Sequence, residues 1–107
     1  MNIEQLIAAL EKATGPSREL DLAIWNKLYP DAVVAELPKS HFRVTASLDA
    51  ALTLLLPGWA WCVQASEEFP GQAWLYPPNN VNDEQVYAKA ATPAIAICIA
   101  ALKARKK

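Results

Sequence analysis

Apolar positions along this chain first recur with helical spacing, then alternate, and finally return to helical spacing. Ile3, Leu6, Ile7 and Leu10 follow the i, i+3, i+4, i+7 rule, which predicts a helix over residues 2–14 with one apolar stripe. Asn2 stands where it can cap that helix, with Gln5 at the third helical position as its reciprocal partner. Gly15 and Pro16 then supply a stop. Ser17 caps a second helix running to about Leu28, in which Leu20, Ile24 and Leu28 form one row and Leu22, Trp25 and Tyr29 a neighbouring one. Residues 30–40 read as a connector, and the alternation of His41, Phe42, Arg43, Val44 and Thr45 predicts a short edge strand.

The sharpest change of period lies between Ser47 and Ser66. Ser47 is a helix cap, Asp49 sits in the favourable first turn, and Leu48, Ala51, Leu52 and Leu55 form an apolar face widened by Leu54 and Leu56. Pro57-Gly58 ends that helix, and a strand follows with Trp59, Trp61, Val63 and Ala65 on one side and Ala60, Cys62 and Gln64 on the other. Bulky residues on one side and small ones on the other suit a strand covered on both faces, with Trp59 and Trp61 in the core. Residues 72–76 form the returning strand and 85–90 a third, with Val86 and Ala88 opposite Tyr87 and Lys89. Thr92 and Pro93 open a terminal helix that is apolar all round: Ile95, Cys98, Ile99 and Leu102 make its main stripe, and Ile97 lies among the alanines elsewhere. Such a helix must be enclosed by its own fold or by a second subunit.

Composition narrows the function. The 107 residues suffice for one domain, and 53% hydrophobic content excludes a disordered segment. No apolar run reaches the roughly 18 residues that span a bilayer, and the start lacks the basic and apolar regions of a signal peptide. A cytoplasmic protein without membrane contact is expected. The net charge of −1 hides an acidic body, because Lys103, Arg105, Lys106 and Lys107 cluster at the end of the last helix, where cations are favoured. An acidic body opposes nucleic-acid binding.

Candidate chemistry is sparse. Asp21 falls inside the apolar arc of the second helix; it accepts hydrogen bonds near a helix start or pairs with Arg18, or else is a site carboxylate. His41, the only histidine, is the side-chain type suited to proton transfer near neutrality, but a lone His beside an edge strand reads as solvated and no Ser or Cys nucleophile can be placed beside it. Cys62 and Cys98 read as free, buried thiols, and one histidine is too few for a zinc site, so neither metal nor cofactor is expected. Trp74 and Tyr76 share a face of the returning strand; if its register sets them opposite the Trp59–Trp61 layer, they remain partly exposed as a binding edge.

Three blocks carry a family likeness. Ala-Thr-Gly-Pro-Ser-Arg-Glu-Leu-Asp at 13–21, Ala-Ser-Leu-Asp-Ala-Ala-Leu-Thr-Leu-Leu-Leu-Pro-Gly-Trp-Ala-Trp at 46–61 and Ala-Ala-Thr-Pro-Ala-Ile-Ala-Ile-Cys-Ile-Ala-Ala-Leu-Lys-Ala at 90–104 resemble the phage ABA sandwich domain, in family order. Residues 30–44 and 66–89 do not match and read as variable. The resemblance implies an α+β fold, an α/β/α sandwich with a small antiparallel sheet and helices on both faces, in a phage or prophage protein of a bacterial host. It implies no activity and no catalytic residue. The resulting expectation is a non-enzymatic accessory protein acting by contact with a protein partner or by self-association as a homodimer. The alternatives are a small-ligand binder with an aromatic pocket and an enzyme built on Asp21, Asp49 or His41.

Overall fold

The computed structural model describes residues 2–28, 43–78 and 85–106. The 30–40 connector, His41, Phe42 and most of the loop after Pro77-Pro78 lie outside them. Helices α1 (Ile3–Lys12) and α2 (Arg18–Leu28) come first, followed by a short α3 (Leu48–Leu52). Strands β1 (Ala60–Gln64), β2 (Gly71–Tyr76) and β3 (Val86–Ala90) lead into α4 (Pro93–Lys106). The strands form one antiparallel sheet in the order β1-β2-β3, with helices packed against it. This is the α+β fold expected.

Local sequence explains most boundaries. Asn2 Oδ1 accepts from the Gln5 amide at 2.7 Å, while Gln5 Oε1 accepts from the Asn2 amide at 2.9 Å, so both orphan donors at the start of α1 are satisfied. Ser17, Ser47 and Thr92 cap α2, α3 and α4 through their hydroxyl oxygens, each taking an amide three residues on at 3.2 Å. Gly58 adopts φ +84° at the bend between α3 and β1, a conformation that favours glycine. Gly15 has no such role: α1 ends at Lys12, with Ala13 extended as its C-cap. Residues 44–46 form a turn rather than the edge strand their alternation predicted. The reason is tertiary, since Val44 and Thr45 are drawn inward to α4 and α2.

The core is built around α4. Ile95, Ile97, Ile99 and Leu102 are all fully buried, each worth roughly 1.5–3 kcal/mol of burial. One side of α4 lies on β2 and β3, and the other side is closed by α1 and α3, with α2 outside α1. That double cover explains a helix apolar on every face, and it buries Ile97 as expected. On the sheet, Ala73, Leu75, Val86 and Ala88 face this core. Gly71 meets the start of α4 so closely that a Cβ there would collide with the Thr92 carbonyl and lie 2.8 Å from the Pro93 nitrogen. The sandwich expected from the sequence has helices on both faces, but among the described residues the helices gather on one face around α4 and the opposite face carries none.

Strand β1 departs from expectation. Trp61 is 46% exposed, and Cys62 is exposed as well. The two sides of the strand are those the alternation predicts, because Trp61 pairs with Leu75 and Val63 with Ala73 on the helix side. However, α4 runs over β2 and β3 and only brushes β1. Trp61 therefore projects beyond the reach of the helix, while Trp59 and Val63 are only partly buried against the core.

Candidate functional site

Strand register decides what the uncovered face displays. Cys62 lies opposite Trp74, and Trp74 opposite Tyr87, so a sulfur, an indole and a phenol form one row across all three strands. Ala60 and Tyr76 flank that row on one side; Gln64, Gln72 and Lys89 flank it on the other. The Trp74 and Tyr87 rings meet with centroids 5.4 Å apart and planes tilted by 46°. Gln72 Nε2 donates to Tyr87 Oη at 2.8 Å, holding the phenol in place. At the end of the face, Lys89 Nζ sits 5.6 Å from the centre of the Phe69 ring.

Trp74 is half-buried and Tyr76 likewise, the outcome predicted if their strand face opposes the Trp61 side. These two candidates come together. Asp21 does not join them, and His41 lies outside the described residues. Tyr87, Gln72 and Cys62 complete the face. Alternation already separated Tyr87 and Lys89 from the core, but only the register sets them beside Trp74.

The two edges of the sheet differ. On β3, Lys103 of α4 donates to the Tyr87 carbonyl at 3.1 Å, and the strand carries Lys89. Strand β1 pairs only with β2 among the described residues, and its five residues Ala60, Trp61, Cys62, Val63 and Gln64 include neither charge nor proline.

Asp21 is buried in a hydrogen-bonded node. It is 2% exposed; its Oδ1 accepts from the Thr45 amide at 2.8 Å and the Thr45 hydroxyl at 2.7 Å, and its Oδ2 lies 3.7 Å from Arg18. Thr45 Oγ1 also takes the Ser17 amide at 2.9 Å and lies 3.1 Å from the Ser17 carbonyl. One hydroxyl proton serves one acceptor at a time, and the shorter, charged contact to Asp21 is the stronger. The node thus ties the start of α2 to the turn before α3. Beside it, the buried Cys98 thiol donates to the Val44 carbonyl at 3.4 Å. Burial first, and the negative charge of Asp21 second, push that thiol far above its ordinary range.

Asp49 sits exposed in the first turn of α3. Among the described residues no three His, Cys, Asp or Glu side chains converge as a metal site, and no helix is long and apolar enough to cross a membrane. An open hollow beside the end of α1, lined by Lys12, Thr14, Phe69 and Lys89, brings a single aromatic ring to charged neighbours. No family model, curated protein or solved structure matches the chain.

Proposed function

We propose that this chain is a non-enzymatic accessory protein of phage or prophage origin, working inside a bacterial host by protein contact through the uncovered side of its sheet. The observation that carries this reading is the Cys62–Trp74–Tyr87 row with Tyr76 beside it. Aromatic side chains on an accessible, strand-rigidified face are the residues that anchor protein interfaces. The three sequence blocks resembling the phage ABA sandwich domain support the origin. A small-ligand pocket is disfavoured, because Trp74 and Tyr87 already touch at a 46° tilt and leave no slot for a planar molecule between them. The enzyme reading loses Asp21 to its hydrogen bonds with Thr45 and Asp49 to its place at a helix start.

A photo-crosslinking residue in place of Tyr76, expressed in a bacterial host, tests the proposal, with the same residue in place of the exposed Asn26 as control. A discrete protein adduct at position 76 that is lost on Trp74→Lys is expected. The same adducts from position 26, or none from position 76, defeat it.

A further inference from the structure

We infer that β1 is a self-pairing edge, and that two copies of this chain join antiparallel about Cys62 to make one continuous six-stranded sheet. The inference rests on the protein-contact reading and names one partner, a second copy.

The first ground is the contrast between edges. Proteins blunt free strands with lysine, proline or a covering helix, because an unpaired row of N–H and C=O groups recruits another strand. Here β3 has Lys89 in its sequence and the Lys103 hydrogen bond to the Tyr87 carbonyl. None of these devices occurs on β1 among the described residues, and its sequence is neutral throughout.

The second ground is self-complementarity. Cys62 is the central residue of the five in β1. A two-fold axis through it sets Ala60 against the partner subunit's Gln64 and Trp61 against the partner subunit's Val63. Trp61 and Val63 lie on the helix side of the sheet, where α4 stops short of β1. Each exposed indole would then lie beside an incompletely covered valine of the partner, flooring the gap between the two helical layers. This cover accounts for a tryptophan left 46% exposed on a side that is otherwise core.

Charge selects the orientation. Glu67 and Glu68 follow β1 on one side only. Parallel pairing would set each acidic pair beside its copy. Antiparallel pairing about Cys62 parts them by on the order of 30 Å, well beyond the screening length at physiological salt. A contact of one short strand and two indoles falls below the roughly 1,200 Å² of a standard interface, so the dimer should be weak, with micromolar dissociation.

Sedimentation equilibrium of the purified chain under reducing conditions is the test. A concentration-dependent dimer is expected, weakened at least tenfold by Trp61→Lys and by Val63→Lys with the circular dichroism spectrum unchanged. The unmodified chain supplies a readout independent of variant folding. Facing Cys62 side chains in an antiparallel pair lie about 5 Å apart at Cβ, near disulfide reach, so a copper–phenanthroline oxidant should link native dimers through Cys62. In a Cys62→Ser, Gln64→Cys double variant the new thiols would be about 13 Å apart, and linking should be lost. A chain that stays monomeric to millimolar concentration, a dimer unaffected by both lysine variants, or faster linking through position 64 than through Cys62 would overturn the inference. If the purified chain is monomeric while the crosslinker at position 76 still yields its Trp74-dependent adduct, the edge pairing falls and the protein-contact function stands. If the dimer forms and no such adduct appears, the contact is confined to self-pairing and the open face loses its role.

Discussion

Strands β1 and β3 are both five residues long and both lie at an edge of the same sheet, yet their surroundings are opposite. Val86 and Ala88 of β3 are buried under α4, and the Lys103 ammonium holds that strand's Tyr87 carbonyl. By side-chain composition β1 is the more apolar of the two, but it leaves its tryptophan and its cysteine in solvent. Hydrophobicity therefore did not decide which strand was covered. The path of one helix did: α4 starts directly after β3 and folds back over β3 and β2, and β1 lies beyond it. The exposed apolar strand is consequently a place where burial can still be gained, by association.

The contrast is broken most severely at Ile97. It is fully buried where α4 is enclosed by sheet and helices, and Ile97→Asp puts a charge there without a partner. We expect a loss of about 4 kcal/mol or more, enough to unfold a domain this small, read as loss of the cooperative thermal transition. Trp61→Lys on β1 should by comparison change monomer stability by less than about 1 kcal/mol. If the two variants melt alike, the division into a covered and an uncovered end of the sheet is wrong.

Gly71 tests the junction that determines the path of α4. An added Cβ would strike the carbonyl of Thr92, which is backbone and has little room to yield because its own residue caps α4. Gly71→Ala should cost about 2–3 kcal/mol in chemical denaturation. Gly15→Ala is its control, since nothing lies within 4 Å of a Cβ there.

The two cysteines sharpen the comparison at the smallest scale. Cys62 on β1 should react with a thiol reagent in the native, monomeric protein, and Cys98 on α4 only after unfolding. Burial and the neighbouring Asp21 raise the Cys98 pKa, so above its ordinary value of 9.0 the unfolded chain loses a proton that the folded chain keeps. The folded state then binds more protons, and stability falls with rising pH by about 1.4 kcal/mol per unit. Cys98→Ala should remove that part of the slope, and Cys62→Ala should leave it in place. Equal alkaline slopes in parent and Cys98→Ala would show that the thiol does not ionise against a folded-state penalty.

Local chemistry alone determined a good deal of this protein. The Asn2–Gln5 capping box, the Ser17, Ser47 and Thr92 caps, the Gly58 bend and the enclosed helix around Ile97 were all legible, because a cap or an amphipathic period is written within a few neighbouring residues. The alternation in β3 likewise separated Val86 and Ala88 from Tyr87 and Lys89. What could not be read were the facts that depend on distant segments. Val44 and Thr45 alternate like a strand but are held in a turn, Val44 by Cys98 and Thr45 by Asp21 and Ser17. The Thr45 partner of Asp21 lies 24 positions away along the chain, beyond the reach of any local pattern. Alternation places Trp61 on the core side of its strand, and the register agrees; its exposure follows from the edge position of β1 and the reach of α4. Trp74 and Tyr87 became neighbours only through the register of β2 with β3, since a shift of one residue would have turned either ring to the opposite side of the sheet. Sequence period specifies which side a residue takes, and only the packing of the whole chain decides whether anything lies over that side.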